Sequence, residues 1–276
     1  MRSLERAHPL VSFLYLVAVM GMTVFTRSPV LAVQSAVGAS LLLILSGSGR
    51  LALMIPIFAA ASALTNPIFS HNGVTVLFFV NDLPVTAEAV VYGAVFGAVL
   101  AAACAWGVCA VRFVTSDKYI WLFGRILPSA GLVLSCALRF LPLLTRRARS
   151  FAAVQGAATL KQQLHTFSAC VGYSAELAMS SADSMNARGY GSAVRTSYSV
   201  YSFGRRECIA LAAVILLSVA AVVMTVLGGG EFFYYPALSE LKARPADIAL
   251  YISFGALTLL PTAVILREKM KILNIE

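Results

Sequence analysis

The residues best suited to chemistry in this chain of 276 residues form a short basic motif, Ala187-Arg188-Gly189, at the predicted end of a helix. Glycine readily adopts the left-handed conformation that follows a helix, and a cation there faces the negative end of the helix dipole. Arg188 therefore has two interpretations. It is a solvated arginine in an ordinary C-terminal cap, or it projects a five-donor guanidinium from a rigid tip toward a partner's carboxylate.

The helix that leads to this motif has a surface of small side chains. From Phe167 to Met185, apolar and small residues recur every three or four positions, which lets another helix backbone approach closely. A preceding helix is predicted from about Gly131 to Gln163, with Pro142 kinking or restarting it after Phe140. Beyond that proline, three arginines are interpreted as a solvated, lipid-facing surface: Arg146, Arg147 and Arg149.

Other kinds of reactive site have no signature in the sequence. No phosphate-binding GxxxxGK[ST] pattern occurs, and Gly228-Gly229-Gly230 is better explained as a turn after a helix. The three histidines are isolated from carboxylates, and the five cysteines contain no CxxC pair. We therefore predict no catalytic residue, no cofactor and no metal site. If the protein uses ATP, another chain must bind it.

The composition predicts the elements that position the motif, because 59% of the residues are apolar, 12% are charged and the mean hydropathy is +0.84. These values are typical of an integral membrane protein. A membrane-spanning helix needs about 20 apolar residues. Six uncharged stretches approach or reach that length: Pro9 to Thr26, Pro29 to Ser46, Leu51 to Phe69, Ala89 to Val111, Cys208 to Leu227 and Ile248 to Leu266.

The orientation follows from the lysines and arginines of the short loops, which favour the cytoplasmic side. They precede the first span, separate the second from the third and follow the fourth, so both termini are predicted in the cytoplasm: Arg2, Arg6, Arg50, Arg112, Lys118 and Arg125. The loop between spans three and four carries Asp82 and Glu88 but no lysine or arginine, so it is expected outside, as a hairpin or a re-entrant piece. The basic residues Arg27, Lys242 and Arg244 are exceptions at outer corners.

Most of the net charge of +9 lies in the long segment between spans four and five. From Arg139 to Arg206 there are nine basic and two acidic residues, a net charge of +7. In a membrane protein such an excess sets topology and contacts lipid or partners, so nucleic acid is not expected. The run Ile126 to Leu144 resembles a seventh span, but spanning would carry the arginines that follow to the wrong side. It is therefore assigned to a helix at the membrane face.

The predicted fold is an all-α integral membrane protein with about six transmembrane helices and long cytoplasmic helices between spans four and five. Its three regions are residues 1–111, with four spans, 112–206, which is cytoplasmic, and 207–276, with two spans and a short tail.

Several motifs, in this order and spacing, resemble the transmembrane coupling subunit of energy-coupling factor (ECF) transporters, the EcfT/CbiQ family. AELAMSSADSMNARGYG is similar to the region of the family's second Ala-Arg-Gly motif, and RFLPLL is similar to the start of its other coupling helix. The HP before the first span and the outer segment TNPIFSHNGVTVLFFVNDLPVTAEAVVYG agree as well. The resemblance runs from His8 to about Thr196.

The resemblance implies a non-catalytic subunit of the cell membrane. Its partners would be two cytoplasmic ABC ATPases and a small substrate-binding membrane subunit, and the complex would import a vitamin or a cobalt or nickel ion. The tips of two coupling helices would insert into grooves on the ATPases. Ala187, Arg188 and Gly189 would form one of these tips.

The other tip departs from the family pattern, because the first Ala-Arg-Gly motif falls on Ala157, Ala158 and Thr159. Lys161 or the preceding arginine cluster is a candidate substitute. The asymmetry implies a heterodimeric ATPase pair with one altered groove, or a divergent paralogue. Two rival functions are a stand-alone secondary transporter, which uncharged spans disfavour, and a membrane-bound lipid enzyme, for which Asp82 and Glu88 make a poor metal pair.

Overall fold

A computed structural model describes residues 8–25, 27–70, 73–80, 83–155, 159–190, 201, 203–240 and 244–273. The chain forms two compact units, one of residues 1–115 with 202–276 and one of residues 116–201. In chain order the elements are α1 (Pro9–Phe25), α2 (Pro29–Leu45), α3 (Gly49–Ala52), α4 (Met54–Phe69), β1 (Val76–Val80), β2 (Leu83–Thr86), α5 (Ala87–Phe113), α6 (Ser116–Ile126), α7 (Pro128–Gln155), α8 (Leu160–Ala187), α9 (Arg205–Val226) and α10 (Pro245–Leu273).

Each of the six apolar stretches forms helix, as the sequence predicts. Within the described ranges, five helical segments are long and apolar enough to cross a membrane: Gly49–Phe69, Ala87–Phe113, Ser129–Val154, Arg205–Val226 and Pro245–Arg267. The helices α1 and α2 are apolar but have 17 residues each. The protein is therefore a helical, multi-pass membrane protein.

The central helix of the first unit is α5, which packs against α1, α2 and α4. Two glycines one helical turn apart allow the close approach of α4. A Cβ atom built on Gly93 would lie 2.6 Å from the Ser62 carbonyl oxygen, and one built on Gly97 would lie 2.5 Å from the Ser62 Cβ. Small residues at this spacing bring helix backbones together in membranes, where dispersion contacts replace the hydrophobic effect.

A chain of buried hydrogen bonds joins α1, α2 and α5. The Trp106 indole N–H donates to the Ser35 hydroxyl at 3.0 Å, the Ser35 and Thr23 hydroxyl oxygens are 2.6 Å apart, and Thr23 donates to the Val19 carbonyl at 2.8 Å. Since Thr23 uses its proton on Val19, Ser35 is the donor to Thr23. Every member is thus satisfied, which is what polar groups inside a membrane bundle require.

The loop between α4 and α5, which is predicted to lie outside, forms an antiparallel hairpin of β1 and β2, so of the two predicted alternatives the hairpin is correct. Glu88, in the first turn of α5, holds the start of this loop in place. Its carboxylate accepts hydrogen bonds from the Thr75 backbone N–H at 3.1 Å and from the Thr75 hydroxyl at 2.8 Å. The side chain of Glu88 is 2% exposed and has a structural role here.

The turn after α9 also agrees with the sequence, since Gly228 and Gly230 have φ angles of +84° and +73°. The carboxylate of Asp247 accepts a hydrogen bond from the Gly230 N–H at 2.6 Å. Farther along this loop the Tyr234 hydroxyl donates to the Arg27 carbonyl at 2.9 Å. Burial, and then the neighbouring Tyr92, raises the pKa of Tyr234 to about 12.

The second unit consists of α6, α7 and α8, with α7 packed against both of the others. The predicted end of α7 at Gln163 is wrong, because the helix ends at Gln155. Pro142 lies inside a continuous helix, so of the two predicted alternatives, a kink or a restart, the restart is wrong. Proline keeps a helical φ and removes one hydrogen bond, a cost that the good helix formers on both sides of Pro142 offset.

Candidate functional site

The end of α8 is closed by the glycine motif that the sequence predicts. Gly189 has a φ of +76°, in the left-handed region that favours glycine. Its N–H donates to the Asn186 carbonyl at 2.9 Å, and the Tyr190 N–H donates to the Met185 carbonyl at 3.0 Å. Together these two bonds make a Schellman motif, which satisfies the last carbonyls of the helix and fixes the direction of its tip.

Arg188 is the capping residue of this motif and is exposed. Its backbone is held, because its N–H lies 3.2 Å from the carbonyl oxygens of both Ser184 and Met185. Within the part of the chain that the structure describes, its guanidinium has no hydrogen bond and no ion pair. The backbone of Arg188 is therefore fixed, while its guanidinium presents five N–H donors that suit a carboxylate of another protein.

The segment that corresponds to the other tip lies between α7 and α8. Ala157 and Ala158 fall outside the described residues, whereas Thr159 is the N-cap of α8. The Gln162 side chain accepts a hydrogen bond from the Thr159 backbone N–H at 3.0 Å, one half of a capping box. Thr159 therefore begins a helix and takes no part in a C-terminal tip of the kind that Arg188 forms.

Thr159 and Arg188 lie at opposite ends of the same helix, α8. A helix of 28 residues is about 42 Å long at 1.5 Å per residue. Thr159 stands at the first end of α8 and Arg188 at the second. A single continuous helix about 42 Å long therefore connects these two positions.

One residue of the arginine cluster is part of the packing between α7 and α8. The Arg147 guanidinium carbon lies 5.3 Å from the centre of the Tyr173 ring, a distance at which a cation is attracted to the ring face. Arg147 is nevertheless exposed, as are Arg146 and Arg149, in agreement with the solvated surface that the sequence predicts. Sequence reasoning missed this pair, because its members are 26 positions apart and belong to different helices.

One face of α8 carries large apolar side chains that are exposed in the part of the chain that the structure describes. Its large side chains are between 50% and 69% exposed: Leu164, Phe167, Val171 and Met179. Tyr173 and Leu177, on the packed face, are half-buried. A helix with one face on its neighbour and a second apolar face outward presents a surface for lipid or for another protein.

The described residues hold no group of three His, Cys, Asp or Glu side chains placed to share a metal ion. The buried carboxylates that the structure describes, Glu88 and Asp247, lie in the first turns of α5 and α10. They accept hydrogen bonds from the backbone N–H groups of Thr75, Gly230 and Arg244, which lie in loops. All five cysteines are free: Cys109 is buried, Cys136 and Cys170 are half-buried, and Cys104 and Cys208 are exposed. No protein-family model matches the chain, and no curated protein is significantly similar to it in sequence.

Proposed function

We propose that this chain is the transmembrane coupling subunit of an ECF-type importer, which passes the ATP-driven movement of two cytoplasmic ABC ATPases to a substrate-binding membrane subunit. The imported substrate would be a vitamin or a transition-metal ion. The observation that carries the proposal is the tip of α8, where a Schellman motif fixes the backbone of Arg188 and leaves its guanidinium exposed. An ABC ATPase with a carboxylate in a groove of matching shape could bind this tip.

Mechanical coupling requires rigid elements that move as units and whose packing switches between discrete arrangements. The length of α8 supports this, because a displacement at the Arg188 end is carried about 42 Å along a continuous helix. The Arg147 guanidinium over the Tyr173 ring and the packing of α7 on α8 hold the two helices together. The exposed apolar face of α8 suits contact with a membrane partner.

The proposed topology places six spans in the cell membrane, with both termini in the cytoplasm. The helix α7 would then lie at the membrane face, although part of it, Ser129–Val154, is long and apolar enough to span. It carries Arg139, Arg146, Arg147 and Arg149, and arginine at the centre of a bilayer is costly. Cysteine accessibility labelling at Ser150 in intact cells and in inverted vesicles tests this placement, because a cytoplasmic position is labelled in the inverted vesicles alone.

The decisive experiment reverses the charge at the tip in the complete transporter. We expect Arg188→Glu to lower ATP-dependent substrate uptake by about 30-fold or more, because breaking a buried charge pair across an interface costs roughly 2–5 kcal/mol. Glu176→Lys is the matched control, since it also reverses an exposed charge on α8 but lies twelve positions before the tip. It should keep near-normal uptake.

Co-purification of the ATPases with each variant is measured beside uptake. Loss of an ATPase, or ATP turnover without uptake, in Arg188→Glu alone supports the coupling role. Equal uptake by Arg188→Glu and wild type contradicts it. A stand-alone secondary transporter would instead move substrate when this chain is reconstituted by itself without ATPases.

A further inference from the structure

The hairpin between α4 and α5 has one covered strand and one uncovered strand. The strand β2 packs against both helices, and the side chain of its residue Val85 is 9% exposed. The strand β1 pairs with β2, but its residues Leu77 and Phe79 are 57% and 69% exposed. Phe79 pairs with Pro84, the neighbour of Val85. Since successive side chains of a strand alternate between faces, Phe79 lies on the face turned away from Val85.

The free edge of β1 restricts where the hairpin can lie. The sheet has two strands in the part of the chain that the structure describes, so one edge of β1 carries no strand partner. An exposed apolar strand with an unpaired edge tends to associate with other chains in water. Among hydrocarbon chains the unpaired N–H and C=O groups would be unfavourable. The boundary between bilayer and water satisfies both needs, because headgroups and water pair with the backbone while acyl chains cover apolar side chains.

The length of α3 and α4 brings the chain to that boundary. Arg50 is the second residue of the apolar segment Gly49–Phe69, and Phe69 follows it after 19 positions, about 28 Å at 1.5 Å per residue. The hydrocarbon core of a bilayer is roughly 30 Å thick. With Arg50 at one boundary of the core, Phe69 therefore reaches the other, and its side chain is 86% exposed there.

The exposed surface of β1 follows a lipid-facing stripe of α4. Four exposed residues recur on one face of this helix: Ile57, Ala61, Leu64 and Ile68. Ser62, on the opposite face, lies against Gly97 of α5. In a membrane protein the exposed apolar face of such a helix contacts acyl chains. No lysine, arginine, aspartate or glutamate occurs between Arg50 and Asp82, so the stripe continues into the hairpin without a charged side chain.

A cluster of tyrosines lies at the same level of the bundle. The Tyr235 hydroxyl oxygen is 3.4 Å from the hydroxyl oxygen of Ser70, the residue directly after α4. The Tyr92 ring centre lies 5.7 Å from that of Tyr235 and 5.3 Å from that of Tyr234. Tyrosine is enriched where the bilayer meets water. The hairpin therefore begins at the depth where an interfacial segment is expected.

We propose that β1 is an interfacial anchor, whose Leu77 and Phe79 side chains insert among the acyl chains of the adjacent leaflet while its free edge lies among headgroups and water. By the distribution of lysine and arginine, this is the outer leaflet. The occupant of the apolar surface is lipid, because the surface is uncharged and continues the lipid-facing stripe of α4. The proposal does not depend on the coupling function, because all of its residues belong to the first unit.

A tryptophan in β1 reports its surroundings in the full chain. Phe79→Trp keeps an aromatic side chain at this exposed position and is reconstituted without partner proteins in phosphatidylcholine vesicles, with wild type giving the background of the native tryptophans. Lipids brominated on the acyl chain quench an indole that contacts acyl chains, and iodide on both sides of the vesicle quenches one that faces water. Glu240→Trp is the matched control, since it places an indole at an exposed position of the loop between α9 and α10.

We expect brominated lipid to quench the indole at position 79 about threefold or more above that at position 240, and iodide to quench it about threefold or more below. Equal quenching of the two variants by either reagent would overturn the proposal, as would stronger iodide quenching at position 79. Protection of position 79 from both reagents would also overturn it, because a second copy of the chain would then cover β1. Neither ATPases nor uptake enter these readouts, so failure here leaves the coupling proposal unaffected.

Discussion

The tight contact between α4 and α5 allows a sharp test with one added methyl group. Gly97→Ala places a Cβ 2.5 Å from the Ser62 Cβ, 2.8 Å from the Phe58 carbonyl oxygen and 3.1 Å from the Ala59 Cα. Carbon atoms pack favourably at about 3.5–4.0 Å. Two of these three neighbours are backbone atoms, so α4 must move away from α5 by about 1 Å and lose contacts along its length.

The expected decrease in the free energy of unfolding follows from a comparison with a second glycine of α5, Gly107. Overpacking of a tight contact destabilises by about 1–3 kcal/mol, while replacing a helical glycine by alanine is favourable by roughly 0.5–1 kcal/mol. Gly107→Ala makes the same exchange where no atom lies within 4 Å. Because the propensity gain is common to both variants, the difference between them isolates the packing cost, about 1–3 kcal/mol.

Equilibrium unfolding in mixed detergent micelles measures this difference. The unfolding of wild type, Gly97→Ala and Gly107→Ala is followed by tryptophan fluorescence, to which Trp106 on the same helix contributes. We expect Gly97→Ala to be less stable than wild type and Gly107→Ala to be equal or more stable. If the free energies of unfolding of the two variants agree within a few tenths of a kcal/mol, the close approach of α4 to α5 is not what stabilises this pair.

Ser35→Ala leaves the Trp106 indole N–H without its acceptor, so we expect the free energy of unfolding to fall by about 1–2 kcal/mol in the same assay. An unchanged free energy of unfolding would contradict a stabilising role of this chain of buried hydrogen bonds. Glu88→Gln weakens the charge-assisted bonds to Thr75, and proteolysis of the outer hairpin should become faster while α5 stays intact. Tyr234 ionises near pH 10 in the unfolded chain but at about 12 in the folded one, so the protein should lose stability between those values. Tyr234→Phe should reduce that loss. The fall in melting temperature from pH 9 to pH 11.5 should therefore be smaller in Tyr234→Phe than in wild type.

Local patterns predicted the elements of this protein well. An uncharged run of suitable length must close its backbone hydrogen bonds as helix in a membrane, so the six stretches were visible in the sequence. The glycine after Arg188 predicted the helix end, because a left-handed residue is a local requirement. The four-residue spacing of Gly93 and Gly97 is a further sequence signal of close helix packing.

Contacts between distant positions could not be predicted in the same way. The indole of Trp106 meets the hydroxyl of Ser35 across 71 positions, and no periodicity in a single chain pairs them. The end of α7 was placed eight residues too late for a related reason. The capping residue Thr159 competes with a helical pattern that continues on both sides of it.

Local sequence patterns alone indicate a helical membrane protein, the positions of its apolar helices and the end of one helix at Arg188 and Gly189. These properties depend on hydrophobic length, charge and local backbone preference, all of which act between near neighbours. The packing of separate helices settles which of them approach closely at Gly97, which hydroxyls find partners, and that the hydroxyls of Ser12 and Tyr15 lie buried without one among the described residues. Those outcomes depend on the three-dimensional meeting of side chains from separate helices, because the free energy of a buried polar group is set by whatever packs against it.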